Sequence, residues 1–325
     1  MSGIGIVVAI LVTLVAVLIQ WLPTSASEEM DRIEFTFWFA TVICVAIFAL
    51  VASVIIYSML TFRAPPEDEA DGPSIHGHTG LEIIWTVVPA VLVVAIGVVS
   101  AVVLSQNGKA GTNPLAVKVF AQQFAWRFEY PQQDGLRSWE LVLPVGRSAQ
   151  FEMEAADVIH SFWIPEMGQK QDVVPGITTQ LVVTPTREGA FTLVCTELCG
   201  LGHSTMRAPV RVLSQKKFDA WVRERQSGGG GDDGAALFAS AGCGGCHAFA
   251  PAGSNAAVGP KLDDLAAAAK KAGQPVDDYV RESIVEPGKV IAPGYADGVM
   301  PSTYGESLST EEIDALVRYL TQAGQ

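Results

Sequence analysis

Hydrophobic and polar positions change rhythm several times along the chain. Residues 4–22, 35–60 and 81–104 are long apolar stretches, the second without a charge and the third with Glu82 alone near its start. At about 1.5 Å per helical residue, the second and third exceed the roughly 30 Å of hydrocarbon in a bilayer. They predict two transmembrane helices. The first stretch lacks a basic flank but ends in Thr24-Ser25-Ala26-Ser27, small residues that suit a cleavage site. Residues 1–27 are therefore either a removed leader or a first transmembrane helix. Either alternative leaves everything after Leu104 on one side of the membrane, given an amino terminus that starts inside.

Beyond Asn113 the period shortens. Runs at 117–120, 141–145, 149–153, 180–183 and 191–194 are β-rich and separated by turn residues, the pattern of a sandwich or barrel. A helix follows, with Ser214 at its N-cap and Phe218, Trp221 and Val222 on one face. Ser227-Gly228-Gly229-Gly230-Gly231-Asp232-Asp233-Gly234 then offers almost nothing to bury and reads as a flexible tether. The tail beyond it is alanine-rich and helical. Its last helix opens with Ser309 and Glu312, a capping box, and carries Ile313, Leu316, Val317 and Leu320 as a buried stripe.

Composition supports part of the chain lying in lipid: 49% of residues are hydrophobic and the mean hydropathy is +0.31. The net charge of −13, without a cluster of Lys and Arg, excludes a nucleic-acid partner. From Asp232 onward there are six basic and thirteen acidic residues, a net charge of −7. That surface is either simply solvated or the footprint of a basic protein partner.

Four of the five cysteines form two close pairs. In the first, Cys195 and Cys199 are followed by His203 and Met206, with His160 earlier in the same domain. Thiolates, imidazoles and a thioether form a soft donor set that favours copper. Spacing alone also suits a disulfide or a zinc site. Zinc rarely uses methionine, however, and a disulfide would leave both histidines and Met206 without a role. A single blue-copper ion needs one cysteine, so two bridging thiolates indicate a pair of copper ions. In the second pair, Cys243-Gly244-Gly245-Cys246-His247 is the Cys-x-x-Cys-His signature of covalent haem attachment. A redox dithiol would belong in a βαβ context and would have no use for His247. His247 and Met300 are the tail's single histidine and methionine, so Met300 is the one candidate for the sixth ligand, its alternative being core packing. A six-coordinate iron transfers electrons and leaves no open site for substrate.

The first constellation resembles the dinuclear CuA site of cytochrome c oxidase subunit II, and the tail resembles a class I cytochrome c, including Val258-Gly259-Pro260-Lys261-Leu262 and Met300-Pro301. The resemblance implies a multi-domain membrane protein: leader or first helix at 1–27, a transmembrane helical hairpin at 28–112, an all-β cupredoxin-like CuA sandwich at 113–226, a Gly-rich linker at 227–234 and an all-α cytochrome c domain at 235–325. It implies that His160, Cys195, Cys199, His203, Met206 and the Glu197 carbonyl ligate copper. The Glu197 carboxylate would help bind magnesium at the interface with the catalytic subunit. Leu81-Glu82-Ile83-Ile84-Trp85 looks like the family's second helix, whose glutamate lies at the mouth of a proton path; the residues alone suit a carboxylate snorkelling at a helix end. Gln123-Phe124-Ala125-Trp126 is similar to the aromatic cluster between incoming electrons and copper, with Phe124 where the family usually has tryptophan. Aromatics in a β-domain are also ordinary core.

The function implied is that of electron-transfer subunit of a respiratory haem-copper oxidase, relaying electrons from haem c to CuA and on to the catalytic subunit I, which reduces oxygen and pumps protons. Other oxidase subunits and an upstream donor, a cytochrome c or a bc-type complex, would be further partners. Both soluble domains would lie on the outer face of a bacterial plasma membrane. A nitric-oxide-reducing complex and a membrane-tethered redox sensor are the alternatives, separated by the gas consumed and by the presence of a large multi-span partner.

Overall fold

The computed structural model describes residues 2–63, 72, 74–227 and 234–322. The chain divides into two compact units, residues 1–25 with 29–109, and residues 26–28 with 110–325.

The first unit is helical: α1 (Ser2–Leu18), α2 (Glu28–Thr61) and α3 (Thr79–Asn107). With 34 and 29 residues, α2 and α3 run to roughly 51 and 44 Å. Among the described residues these two are long and apolar enough to cross a membrane. α1 has 17 residues and stops at Leu18, four short of the apolar stretch. It packs on α2 where Gly5 brings its backbone to Ser53; a Cβ there would lie 3.4 Å from Ser53 Oγ. Small residues at such a crossing let helices approach closely in lipid. The start of α2 meets the end of α3 through a polar clasp: Arg32 donates to Asn107 Oδ1 at 3.2 Å, and Asn107 Nδ2 donates to the carbonyl of buried Glu29 at 3.3 Å. The hairpin is thereby closed at one end.

In the second unit, ten strands build a sandwich: β1 (Leu115–Gln122), β2 (Ala125–Tyr130), β3 (Leu136–Ser138), β4 (Leu141–Pro144), β5 (Ala149–Ala155), β6 (His160–Trp163), β7 (Lys170–Val173), β8 (Thr179–Val183), β9 (Gly189–Cys195) and β10 (Arg207–Leu213). One sheet has the order β3-β2-β1-β5-β8 and the other β4-β10-β9-β6-β7. Alternation puts Leu115, Val117, Val119 and Ala121 of β1 inside, opposite Ala208, Val210 and Val212 of β10. β1 pairs with β5, and β10 with β4, in parallel; the remaining pairings are antiparallel. The Tyr130 hydroxyl ties the sheets together, accepting from Val142 N–H at 2.8 Å and donating to Val142 O at 3.1 Å. Helix α4 (Gln215–Gln226) closes the sandwich with Phe218 and Trp221 buried against Tyr130. Ser214 stands at its N-cap as the sequence predicts, but its hydroxyl makes no capping bond.

All five strands expected from the sequence are present. Of the other five, β3 has only three residues, β2 is the aromatic run, β6 begins at His160, and β7 and β10 carry charges on their outer faces.

The remaining elements are α5 (Gly234–Ser240), the hairpin of β11 (His247–Phe249) and β12 (Ser254–Ala257), α6 (Leu265–Ala272), α7 (Val276–Val285), α8 (Tyr304–Ser307) and α9 (Thr310–Gln322). Residues 228–233 of the expected tether lie outside the described residues. α5 and α9 cross at Gly234, where a Cβ would collide with the Ala315 carbonyl and lie 2.5 Å from Tyr319 Cβ. Phe238, Phe249 and Tyr319 fill the crossing with centroids 5.5–5.9 Å apart. The capping box forms: Ser309 N–H donates to Glu312 Oε2 at 2.9 Å, and Glu312 N–H to Ser309 Oγ at 3.2 Å. The stripe Ile313, Leu316, Val317 and Leu320 is buried.

Glu140 holds α4 to the sandwich. Its carboxylate accepts from Arg211 at 2.7 and 3.0 Å, from Trp221 Nε1 at 3.2 Å and from Arg225 at 3.4 Å. Half-exposed partners screen such a network, so Glu140→Ala should cost about 1–2 kcal/mol. Thermal unfolding of the purified chain should shift downward accordingly.

Candidate metal centres

The first centre is built at one end of the sandwich. His160 opens β6 and Cys195 ends β9, while Cys199, His203 and Met206 lie on the loop between β9 and β10. That loop is pinned by Cys195 N–H to Met206 O at 3.1 Å and by Thr196 N–H to Ser161 O at 3.0 Å. Cys195 Sγ lies 3.9 Å from His160 Nδ1, 3.9 Å from Cys199 Sγ and 3.3 Å from the Glu197 carbonyl. Cys199 Sγ lies 3.6 Å from His203 Nδ1 and 3.8 Å from Met206 Sδ.

Sulfurs 3.9 Å apart are not a disulfide, whose bond is about 2.05 Å. Each sulfur has the other sulfur and an imidazole within 4 Å, His160 beside Cys195 and His203 beside Cys199, more soft donors than one ion requires. A single tetrahedral ion would need only four of them. The set fits two soft ions bridged by sulfur.

Asp157, on the turn before β6, orients His160. Its Oδ1 accepts from His160 Nε2 at 2.8 Å and from Val158 N–H at 2.7 Å, and its Oδ2 accepts from Gln123 N–H at 2.7 Å. This leaves Nδ1 facing the sulfurs. Burial disfavours the carboxylate, but the bonds from His160, Gln123 and Val158 outweigh it and lower the Asp157 pKa. Burial likewise opposes ionisation of Cys195, yet the bond with His160 acidifies that thiol. Burial, and then the charge developing on Cys195, push Cys199 up. The sequence shows Asp157 beside the motif but gives it no role; a carboxylate three residues before a ligand-type histidine is the signal that marks it.

The second centre is a cavity of about 640 Å³ lined by Cys243, Cys246, His247, Gly259, Leu262 and Met300 among others. Its size is that of a cofactor site. His247 Nδ1–H donates to Pro260 O at 2.8 Å, which turns Nε2 to the cavity. Burial lowers the His247 pKa and keeps the ring neutral, with the Pro260 bond opposing. Burial pushes the Cys243 thiol up to about 12 and also raises Cys246. Two thiols and a neutral imidazole at a largely apolar cavity fit a covalently held haem, with Met300 on the lining as second axial donor.

The other expected residues fall as follows. Phe124 is buried and lines the same cavity. Trp126 is completely buried, edge-on to His160 at 6.1 Å and to Phe162 at 5.8 Å. Glu197 brings its carbonyl to the Cys195 sulfur, and its side chain is half-buried. Glu82 accepts from His78 N–H at 3.2 Å while His78 Nδ1 accepts from Leu81 N–H, a cap on the first turn of α3.

Residues 137–213 match the family described as cytochrome C oxidase subunit II, periplasmic domain, and residues 15–103 match its transmembrane domain. Residues 231–324 match cytochrome c. Cytochrome c oxidase subunit 2 of Bacillus subtilis is 31% identical over 323 residues, spanning 91% of this chain and 89% of that one. The Alkalihalophilus pseudofirmus protein of the same name is 30% identical over 299 residues, spanning 86% and 84%. The chain belongs to the cytochrome c oxidase subunit 2 family. Among solved structures, the periplasmic domain of the Bradyrhizobium japonicum subunit II covers 38% of this chain and 98% of its own, at 28% identity and a TM-score of 0.35.

As a subunit 2 with a cytochrome c domain, the chain is an electron-transfer subunit of a haem-copper oxidase, and its cofactors are CuA and haem c. It is anchored in the membrane, and its partner is the catalytic subunit I.

Two substitutions test the geometry. Asp157→Ala should weaken copper binding by roughly 10- to 100-fold, measured by competition with a copper chelator. A Cβ on Gly259 would lie 2.6 Å from His247 Cε1 and 2.8 Å from Nδ1. Gly259→Ala should therefore displace the imidazole and give a reduced haem spectrum with a five-coordinate component.

Proposed function

We propose that His160, Cys195, Cys199, His203, Met206 and the Glu197 carbonyl are the CuA ligands, and that Cys243, Cys246, His247 and Met300 hold haem c. When bound, these groups supply reversible one-electron transfer, and the chain relays electrons from haem c to CuA and onward to subunit I. The observation that carries this reading is the convergence of two unbonded cysteine sulfurs, two histidines and a methionine sulfur within 4 Å contacts.

The residues divide the work. Asp157 fixes the His160 tautomer; Pro260 O does the same for His247. Trp126, Phe162 and Phe151 pack behind His160 and exclude water. Leu198 and Leu201, about 80% exposed on the copper loop, present an apolar tip suited to burial against subunit I, where the Glu197 carboxylate would reach a magnesium ion. Glu82 sits at the opposite end of α3 from Asn107, the placement a proton-path mouth on the inner side requires. In this reading the hairpin at 28–112 anchors the copper domain at 113–226 and the haem domain at 235–325, both centres lie on the outer face of a bacterial plasma membrane, and a cytochrome c or a bc-type complex supplies electrons.

Electron paramagnetic resonance and metal analysis of the purified complex test the assignment. The expected result is one electron shared over two coppers, with one haem c per chain; a single-copper hyperfine pattern, or zinc, overturns it. Met300→Ala should leave the reduced haem five-coordinate and lower its potential, read by spectroelectrochemistry.

A further inference from the structure

The copper and haem domains lie in one compact unit, and the surface between them has an unusual composition. Trp139 and Ala125, from the sandwich, are buried in the same apolar cluster as Leu237, Phe238 and Leu316 of the haem domain. The Trp139 ring lies 6.5 Å from Tyr304, whose hydroxyl donates to Ala241 O at 2.8 Å, two residues before Cys243. Thr303 Oγ1 donates to Gln122 Oε1 at 2.7 Å.

Between these contacts lies the haem-attachment motif itself. Gly242 has φ +78°, and a Cβ there would lie 2.7 Å from the Phe124 carbonyl. A Cβ on Gly245 would collide with Thr205 Oγ1 and lie 3.1 Å from Thr205 Cβ. Thr205 is on the copper loop, between His203 and Met206, where its hydroxyl donates to Gly202 O at 2.8 Å. Gly244 gives an internal contrast, because its Cβ would meet Phe238 and Ser254 at 3.3 Å, both within the haem domain. The two spacer glycines thus face different neighbours, Gly244 the haem domain's own packing and Gly245 the copper loop.

We propose that the Cys-x-x-Cys segment is the docking surface between the two domains, and that the bare backbone of Gly245 against Thr205 sets the closeness of haem to copper. The haem domain then transfers electrons from a standing contact rather than after a swing on its tether. This rests on the metal assignments above, so the wild-type spectra serve as its separate control.

The test uses the assembled complex with Gly245→Ala, and with Gly245→Ala combined with Thr205→Ala, which removes the colliding oxygen. Haem-to-copper transfer is followed by stopped-flow, and the distance by relaxation enhancement of the copper signal from the haem iron. Gly245→Ala should slow transfer severalfold, because the electron-tunnelling rate falls exponentially with the added distance, and weaken the enhancement. The second substitution should restore both. An unchanged rate in Gly245→Ala, or no restoration in the double variant, overturns the proposal. Trp139→Ala leaves the motif untouched and should raise hydrogen exchange across 237–245; unchanged protection there would overturn it equally. A wild-type copper signal that is not dinuclear would instead sink the metal assignment.

Discussion

The hydrogen bond from Gln123 N–H to Asp157 Oδ2 joins the two turns on which both centres depend. Gln123 sits between β1 and β2, and Asp157 between β5 and β6. From Asp157 the network runs to His160; from the Gln123 side chain it runs to the Cys199 carbonyl. Three loops far apart in sequence are thus fixed at one end of the sandwich. A charge-assisted bond of this kind contributes about 1.5–3 kcal/mol, and its larger effect is geometric. Metal donors must be held within fractions of an ångström, which a loop without such cross-bracing does not achieve. The neighbours of Gln123 extend the bracing outward: Gln122 bonds Thr303, and Phe124 contributes the carbonyl on which Gly242 rests.

Close approach of backbones is what the glycines provide. Gly200 and Gly202 of the copper loop lie against Phe124, and a Cβ on Gly202 would overlap its ring. The Phe124 ring thus rests on the copper loop, while its carbonyl faces Gly242. The phenyl ring matches a geometry in which the haem domain, rather than solvent, covers this surface.

Much of this was legible in the sequence, for identifiable reasons. Transmembrane helices and capping boxes depend on local order, so the apolar runs and the Ser309–Glu312 pair could be read directly. Cys-x-x-Cys-His carries its chemistry within five residues. The copper donors were also visible, since four of them share one loop. His160 and Asp157 come together with that loop only through sheet pairing, when β6 aligns Phe162 with Cys195 of β9, and no local pattern encodes that register. In sequence β2 resembles an aromatic cluster because Trp126, Phe128 and Tyr130 all point into the core, which makes a buried strand look like a functional stripe. Trp139 was silent for the opposite reason: its burial depends on a domain more than ninety residues downstream. Gly244 and Gly245 are adjacent and identical, and only the structure separates their reasons.

Charge distribution shows what fusion changes for this copper domain. Residues 113–226 carry twelve acidic and twelve basic side chains, a net charge of zero, against −7 for the tail. An acceptor that must capture a diffusing donor gains from a strong local field, because steering raises the association rate. A donor on the same polypeptide is already present at an effective concentration of order millimolar, so steering adds little. What such a pair needs instead is a well-packed contact, and Trp139, Ala125 and the bare haem motif supply it. The field that can act on an external redox partner belongs to the haem domain. Packing and charge therefore serve different partners: the apolar contact serves the copper domain, and the net charge of −7 is available to an external one.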